Sequence, residues 1–177
     1  DELRIIFTKF DEISRKHNCV RIKTIGDAYM AVSGMFNNSK EHALRAAKAA
    51  NEMREFVRER NHRNGIQWEV RIGLNSGDII AGFISEHNLS YDIFGDNVNI
   101  AARMQTHSGP MQINISESTR KLLEPHYNFV RRVPQRVKGK GMINMYYLHT
   151  AKKRPAPGES HLTLHDPIEP SGTVSNG

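Results

Sequence analysis

Val20-Arg21-Ile22-Lys23-Thr24-Ile25-Gly26-Asp27-Ala28-Tyr29-Met30-Ala31-Val32-Ser33 is the stretch from which the architecture unfolds. Residues 20–25 alternate apolar and polar side chains as a half-buried strand does. Gly26-Asp27 is a two-residue hairpin signal, and residues 28–33 supply the returning strand. Upstream, Leu3, Ile6, Phe7, Phe10 and Ile13 recur at helical spacing, so the chain opens within an amphipathic helix and reads as a piece of a longer protein. Downstream, Ser39 is the expected cap of a long helix. Its Ala43, Ala46, Ala47, Ala50, Met53, Phe56 and Val57 form one apolar stripe, and Gly65 closes it.

Beyond that helix, residues 68–74 and 79–84 read as strands joined around Asn75-Ser76-Gly77-Asp78, and 91–94 as a short strand. A helix is expected from about Asp96 to Gln105, a strand over 111–115 and a short helix over 117–123. Strands near 129–133 and 142–149 complete the pattern. Interleaved hairpins and helices predict an α+β fold. The best match is a ferredoxin-like β-α-β-β-α-β sandwich with extra C-terminal strands and its first strand missing.

Composition bounds the function. At 177 residues, 38% hydrophobic and 25% charged, the chain can bury a core and is neither collagen-like nor wholly disordered. Cys19 is the only cysteine, which excludes a disulfide scaffold and any multi-cysteine metal centre. No apolar run reaches the roughly 18 residues of a membrane span, and no signal peptide opens the chain, so a cytoplasmic setting is expected. Residues 151–177 hold four of the seven prolines with three basic and three acidic side chains, and are expected to be a disordered tail. The whole net charge of +6 therefore falls on residues 1–150, the expected folded domain. Such an excess suits phosphates.

Three constellations could carry chemistry. Lys23 lies on the first strand and Asp27 on its turn, where a rigidly held carboxylate suits Mg²⁺. In residues 91–104, Asp92 sits among apolar strand residues and needs a donor. Asn99 and Arg103, spaced i, i+4, share a helical face able to address a ribose and a phosphate together. Val137-Lys138-Gly139-Lys140-Gly141 is a flexible basic loop, though no Walker motif. Read alone, each is also what an ordinary turn, helix face or basic loop looks like. His161 and His165 have metal-compatible spacing but lie in the proline-rich tail without a glutamate between them. An RNA-binding sheet would need exposed aromatics that the sequence does not offer, so no nucleic-acid partner is expected.

In this order and spacing, the blocks 22–30, 71–77, 91–104 and 137–141 resemble the catalytic domain of the class III adenylyl and guanylyl cyclases, over residues 1–150. The resemblance implies cyclisation of a nucleoside triphosphate by attack of the ribose 3′-hydroxyl on the α-phosphate. It also implies two Mg²⁺ ions per site, replaceable by Mn²⁺. By the same resemblance Asp27 is a metal ligand, Asn99 positions the ribose and Arg103 stabilises charge on the α-phosphate. Lys138 then holds the terminal phosphates, with Lys140 the alternative. Lys23 and Asp92 match the base-reading pair. A lysine donates and an aspartate accepts, which suits adenine N1 and N6. ATP is therefore the expected substrate, with GTP, or a non-catalytic regulatory role, as the alternatives. The chain carries residues of both half-sites, so a head-to-tail homodimer is expected. The family's other metal aspartate belongs to the strand ahead of the first helix. Residues 1–177 alone are accordingly expected to be inactive, with any membrane attachment through segments of the parent protein.

Overall fold

The computed structural model describes residues 2–36, 40–65, 67–83, 91–137 and 139–152. Helix α1 (Glu2–Lys16) leads into the hairpin of β1 (Cys19–Ile25) and β2 (Ala28–Ser33) and then into α2 (His42–Asn64). Strand β3 (Arg71–Leu74) follows, then the hairpin of β4 (Ile80–Phe83) and β5 (Tyr91–Phe94) and helix α3 (Asp96–Thr106). The remainder is β6 (Gln112–Ser116), α4 (Glu117–Leu123), β7 (Tyr127–Arg131), β8 (Gln135–Val137), β9 (Gly141–Ile143) and β10 (Met145–Ala151). From α1 to β3 the order is α-β-β-α-β, as expected for the α+β fold.

The largest sheet has the order β3-β6-β10-β7, with β3 parallel to β6 and the other pairs antiparallel. Helix α2 is the hub. Its Ala43, Ala47 and Ala50 pack with Ile113 and Ile115 of β6, Leu123 of α4 and Leu148 of β10. Ala49, Met53 and Val57 pack with Ile6, Phe10 and Ile13 of α1 and with Cys19. Alanine on two sides lets α2 lie close to both the sheet and α1, where larger side chains would hold them apart. Gly65 ends the helix in the left-handed conformation at φ +65°.

Four expectations are revised. The residue before α2 is Glu41, without a side-chain cap, and Ser39 lies outside the described residues. Residues 68–70 do not join a sheet, because the Asn61 side chain takes both backbone groups of Trp68. Asn61 Nδ2 donates to its carbonyl at 2.7 Å, and its N–H donates to Asn61 Oδ1 at 3.1 Å. The last strand is two, β9 and β10, and β9 pairs with the unexpected β8. Strand β7 ends at Arg131. Arg132 leaves it to donate to the His107 carbonyl at 2.7 Å and to lie 4.3 Å over the Tyr147 ring. Lys138, Ser39, His161, His165 and residues 153–177 lie outside the described residues. Among the described residues, no helix is long and apolar enough to cross a membrane.

Candidate active site

Strand β1 is not regular. Arg21 pairs with Ala31 but Lys23 with Met30, so Ile22 is an extra residue on the β1 side. Such a bulge reverses the phase of the side chains beyond it. Arg21 therefore reaches back to α1, its guanidinium 2.9 Å from Asp11 Oδ2, while Lys23 reaches across to β5 and donates to Asp92 Oδ2. Asp92 is only 4% exposed, and its Oδ1 accepts from the Ile93 N–H at 2.8 Å. The Lys23 ammonium, then the Ile93 N–H, hold its carboxyl below the usual carboxylate range, against the opposing effect of burial. The two groups, 69 positions apart in the chain, form one donor–acceptor pair.

Helix α3 carries the second group. Gly95 starts it at φ +126°, a conformation open to glycine. Asp96, Asn99 and Arg103 follow at spacings of three and four and are all exposed, while Met104 on another side is buried. Among the described residues, the Asn99 and Arg103 side chains make no hydrogen bond or ion pair. The helix can lie directly on β3 because residue 73 is glycine. A Cβ there would stand 2.1 Å from the Gln105 nitrogen and 2.7 Å from the Ala101 carbonyl.

The basic loop joins this helix through the core. Val137 of β8 and Met145 of β10 are buried with Met104, and Ile100 and Ile143 pack against them. The β8–β9 hairpin is thereby docked on α3, and Lys140 is paired with Asp96 at the head of the Asp96–Asn99–Arg103 stripe. Arg136, Val137, Gly139, Lys140 and Gly141 of the β8–β9 hairpin line an open concavity of about 450 Å³. Of the two lysines of the sequence motif, Lys140 is paired with Asp96, about one helical turn before Asn99, and Lys138 lies outside the described residues. Asp96 enters the sequence reading only as the expected start of this helix. Its place in the i, i+3, i+7 stripe was the available signal.

Asp27 stands exposed on the β1–β2 turn, where Gly26 takes φ +60° and Ile25 pairs directly with Ala28. Among the described residues it makes no hydrogen bond or ion pair. No group of three or more His, Cys, Asp or Glu suited to a metal assembles among them either. Mg²⁺ needs only one or two protein carboxylates when phosphates complete its shell, so an uncommitted Asp27 fits as one ligand. Within one chain, then, Lys23 joins Asp92, and Lys140 joins the α3 stripe, while Asp27 belongs to neither pairing.

The family model for the adenylate and guanylate cyclase catalytic domain matches residues 1–150. The chain belongs to this family. It is 37% identical to the receptor-type guanylate cyclase gcy-27 of Caenorhabditis elegans across 98% of this chain and 23% of that protein. This cyclase chain thus spans about a quarter of the length of that relative. Among solved structures, it resembles the guanylate cyclase domain of RhGC from Catenaria anguillulae in complex with GTP. That likeness has a TM-score of 0.80 and 32% identity, covering 85% of this chain and 82% of the other. It also resembles the adenylyl cyclase CyaB from P. aeruginosa at a TM-score of 0.78 and 25% identity, covering 85% and 82%. The cyclase frame is therefore close to both substrate types, and the base that is read depends on side chains within it.

Proposed function

We propose that this cyclase domain converts ATP to 3′,5′-cyclic AMP and pyrophosphate as a homodimer with shared sites. The observation that carries the reading is the pairing of Lys23 with a buried Asp92. A lysine can only donate and an ionised aspartate only accept. Adenine offers an acceptor at N1 and a donor at N6, so it satisfies both. Guanine offers a donor at N1 and an acceptor at O6. Set in the same register, it would turn a donor toward the Lys23 ammonium and an acceptor toward the Asp92 carboxylate, so neither contact could form.

The rest of the site follows from the α3 stripe. Asn99 orients the ribose, so that the 3′-oxygen faces the α-phosphorus. As the 3′-oxygen bonds to the α-phosphorus and gives up its proton to solvent water, the bond from the α-phosphorus to the β-phosphate oxygen breaks, and Arg103 stabilises the charge spread over the α-phosphate oxygens. Lys140, with Lys138 on the same loop, binds the departing pyrophosphate. Mg²⁺ held by Asp27 would supply charge neutralisation on the triphosphate and acidify the attacking hydroxyl. Asp27 of one copy and the α3 stripe of the other are taken to meet at the interface. The exposed apolar pair Ile80 and Phe94, facing each other across β4 and β5, supports a partner surface there.

The likeness to gcy-27 and to the RhGC domain favours a second reading, in which GTP is the substrate. Supplying the parent protein, with the strand expected ahead of α1, with ATP and GTP separately, in Mg²⁺ or Mn²⁺, and quantifying both cyclic products decides between them. Cyclic AMP in excess is expected, and cyclic GMP in excess would overturn the adenine reading. The double change Lys23→Glu, Asp92→Cys should lower kcat/KM for ATP by about tenfold or more, given roughly 1–3 kcal/mol for each mismatched polar contact. An unchanged ATP preference would refute the role of the pair.

A further inference from the structure

Asn75 lies in the loop leaving β3, and its side chain is wholly engaged in ties between elements. Its Nδ2 donates to the Asn97 carbonyl at 3.0 Å and to Asn97 Oδ1 at 3.1 Å. Its Oδ1 accepts from Ser118 Oγ, at the start of α4, at 3.2 Å. Asn97 passes the tie on, with its own Nδ2 donating to the Asp78 carbonyl at 2.9 Å. Gly77 closes over the same amide, since a Cβ there would stand 2.4 Å from Asn97 Nδ2. Helix α3 has a glycine N-cap with no side-chain cap. Its first turn is therefore fixed in rotation by Asn75 and Asn97 rather than by a capping side chain of its own.

We propose that Asn75 is a positioning residue of the cyclase reaction, acting through Asn97 to set the rotation of the first turn of α3 and so to aim Asn99 and Arg103. The inference rests on the roles given to those two residues above. Asn99 is two positions beyond Asn97, so a loosened first turn displaces it directly, and a shift of about 1 Å in a reacting group can cost on the order of 10²-fold in rate. The loop keeps other anchors without Asn75. Ser118 Oγ also reaches the Ser76 carbonyl at 2.8 Å, and Ser76 Oγ lies 3.0 Å from Thr119 Oγ1. Variants at Asn75 are thus expected to fold.

The test compares Asn75→Ala, Asn75→Asp and Asn97→Ala in the parent protein, each also combined with Asn99→Ala, measuring kcat, KM and amide hydrogen exchange across residues 96–99. Asn75→Ala should lower kcat by about tenfold to a hundredfold with KM within about twofold. Asn75→Asp keeps the shape but cannot donate, and should do the same. In the Asn99→Ala background the further loss should shrink several-fold, what remains acting through Arg103. Exchange over residues 96–99 should quicken while α2 stays protected. Wild-type kcat in Asn75→Asp, or a loss as large with the Asn99 side chain removed as with it present, would overturn the proposal. If the unaltered parent protein makes no cyclic nucleotide, the functional reading fails. The exchange measurement still decides the clamp, since unchanged protection at residues 96–99 refutes it.

Discussion

The Tyr29 hydroxyl donates to Asp11 Oδ1 at 2.9 Å and lies 3.0 Å from Ser14 Oγ, joining β2 to α1. Burial first, with the Asp11 carboxylate adding to it, pushes the phenol up from its ordinary 10 to about 12. A folded value above the unfolded one means the stabilisation is complete below pH 10 and is lost as pH rises through about 12. Urea midpoints measured from pH 9 to 12 should therefore fall, and fall less steeply in Tyr29→Phe. Tyr127 and Tyr146 are also raised, so a residual slope remains. An identical slope in the variant would remove Tyr29 from the account. The same face shows how far single residues were legible. Lys23 and Asp92 were picked out by their donor and acceptor chemistry, but strand alternation would send Arg21 and Lys23 to one side. The bulge at Ile22 sends one to α1 and the other to β5. Backbone pairing, not residue type, decided that.

Elements meet where glycine permits. At Gly73 the atoms in the way of a Cβ are backbone, Gln105 N and Ala101 O, and neither can turn aside. Gly73→Ala should cost at least about 1–3 kcal/mol in urea unfolding and reduce cyclase activity as α3 is lifted from β3. Gly26 is the contrast. Nothing lies within 4 Å of its Cβ position, and only the φ of +60° opposes a side chain, so Gly26→Ala should cost about 1–2 kcal/mol through backbone strain. Equal and negligible effects at both sites would contradict this picture of α3. Most elements were legible from periodicity and punctuation, including β2, β5 and α4 at the residue. Residues 68–70 were not, because the Asn61 side chain satisfies a backbone that otherwise reads as strand. Strand β8 was not either, as three residues carry too little period to register.

At the scale of the whole molecule, the proposed homodimer draws its partner surface from the β4–β5 hairpin. Ile80 is 71% exposed and paired across β4–β5 with the exposed Phe94, while Phe36 packs 6.5 Å from Tyr91 on the same hairpin. Ile80, Tyr91 and Phe94 sit on the hairpin that also carries Asp92. Ile80→Asp should move the sedimentation boundary toward monomer and make specific activity rise with protein concentration. A dimer as tight as the unaltered one would place the partner surface elsewhere. The net charge of +6 adds a salt dependence to triphosphate binding, since screening weakens attraction between exposed groups over a Debye length of about 8 Å at physiological ionic strength.

What the amino-acid order determined by itself was the α+β class, the kinds of group available for chemistry and the family likeness, because periodicity, turn residues and motif spacing are local properties of a chain. What required the folded molecule was which groups meet. Lys23 finds Asp92 through a bulge, and Lys140 reaches the α3 stripe because Val137, Met104 and Met145 share one core. Asn75 is tied to Asn97 because glycines 73 and 77 let α3 come down on the strand. Contacts of that sort are set by packing between distant segments, and no local pattern encodes them.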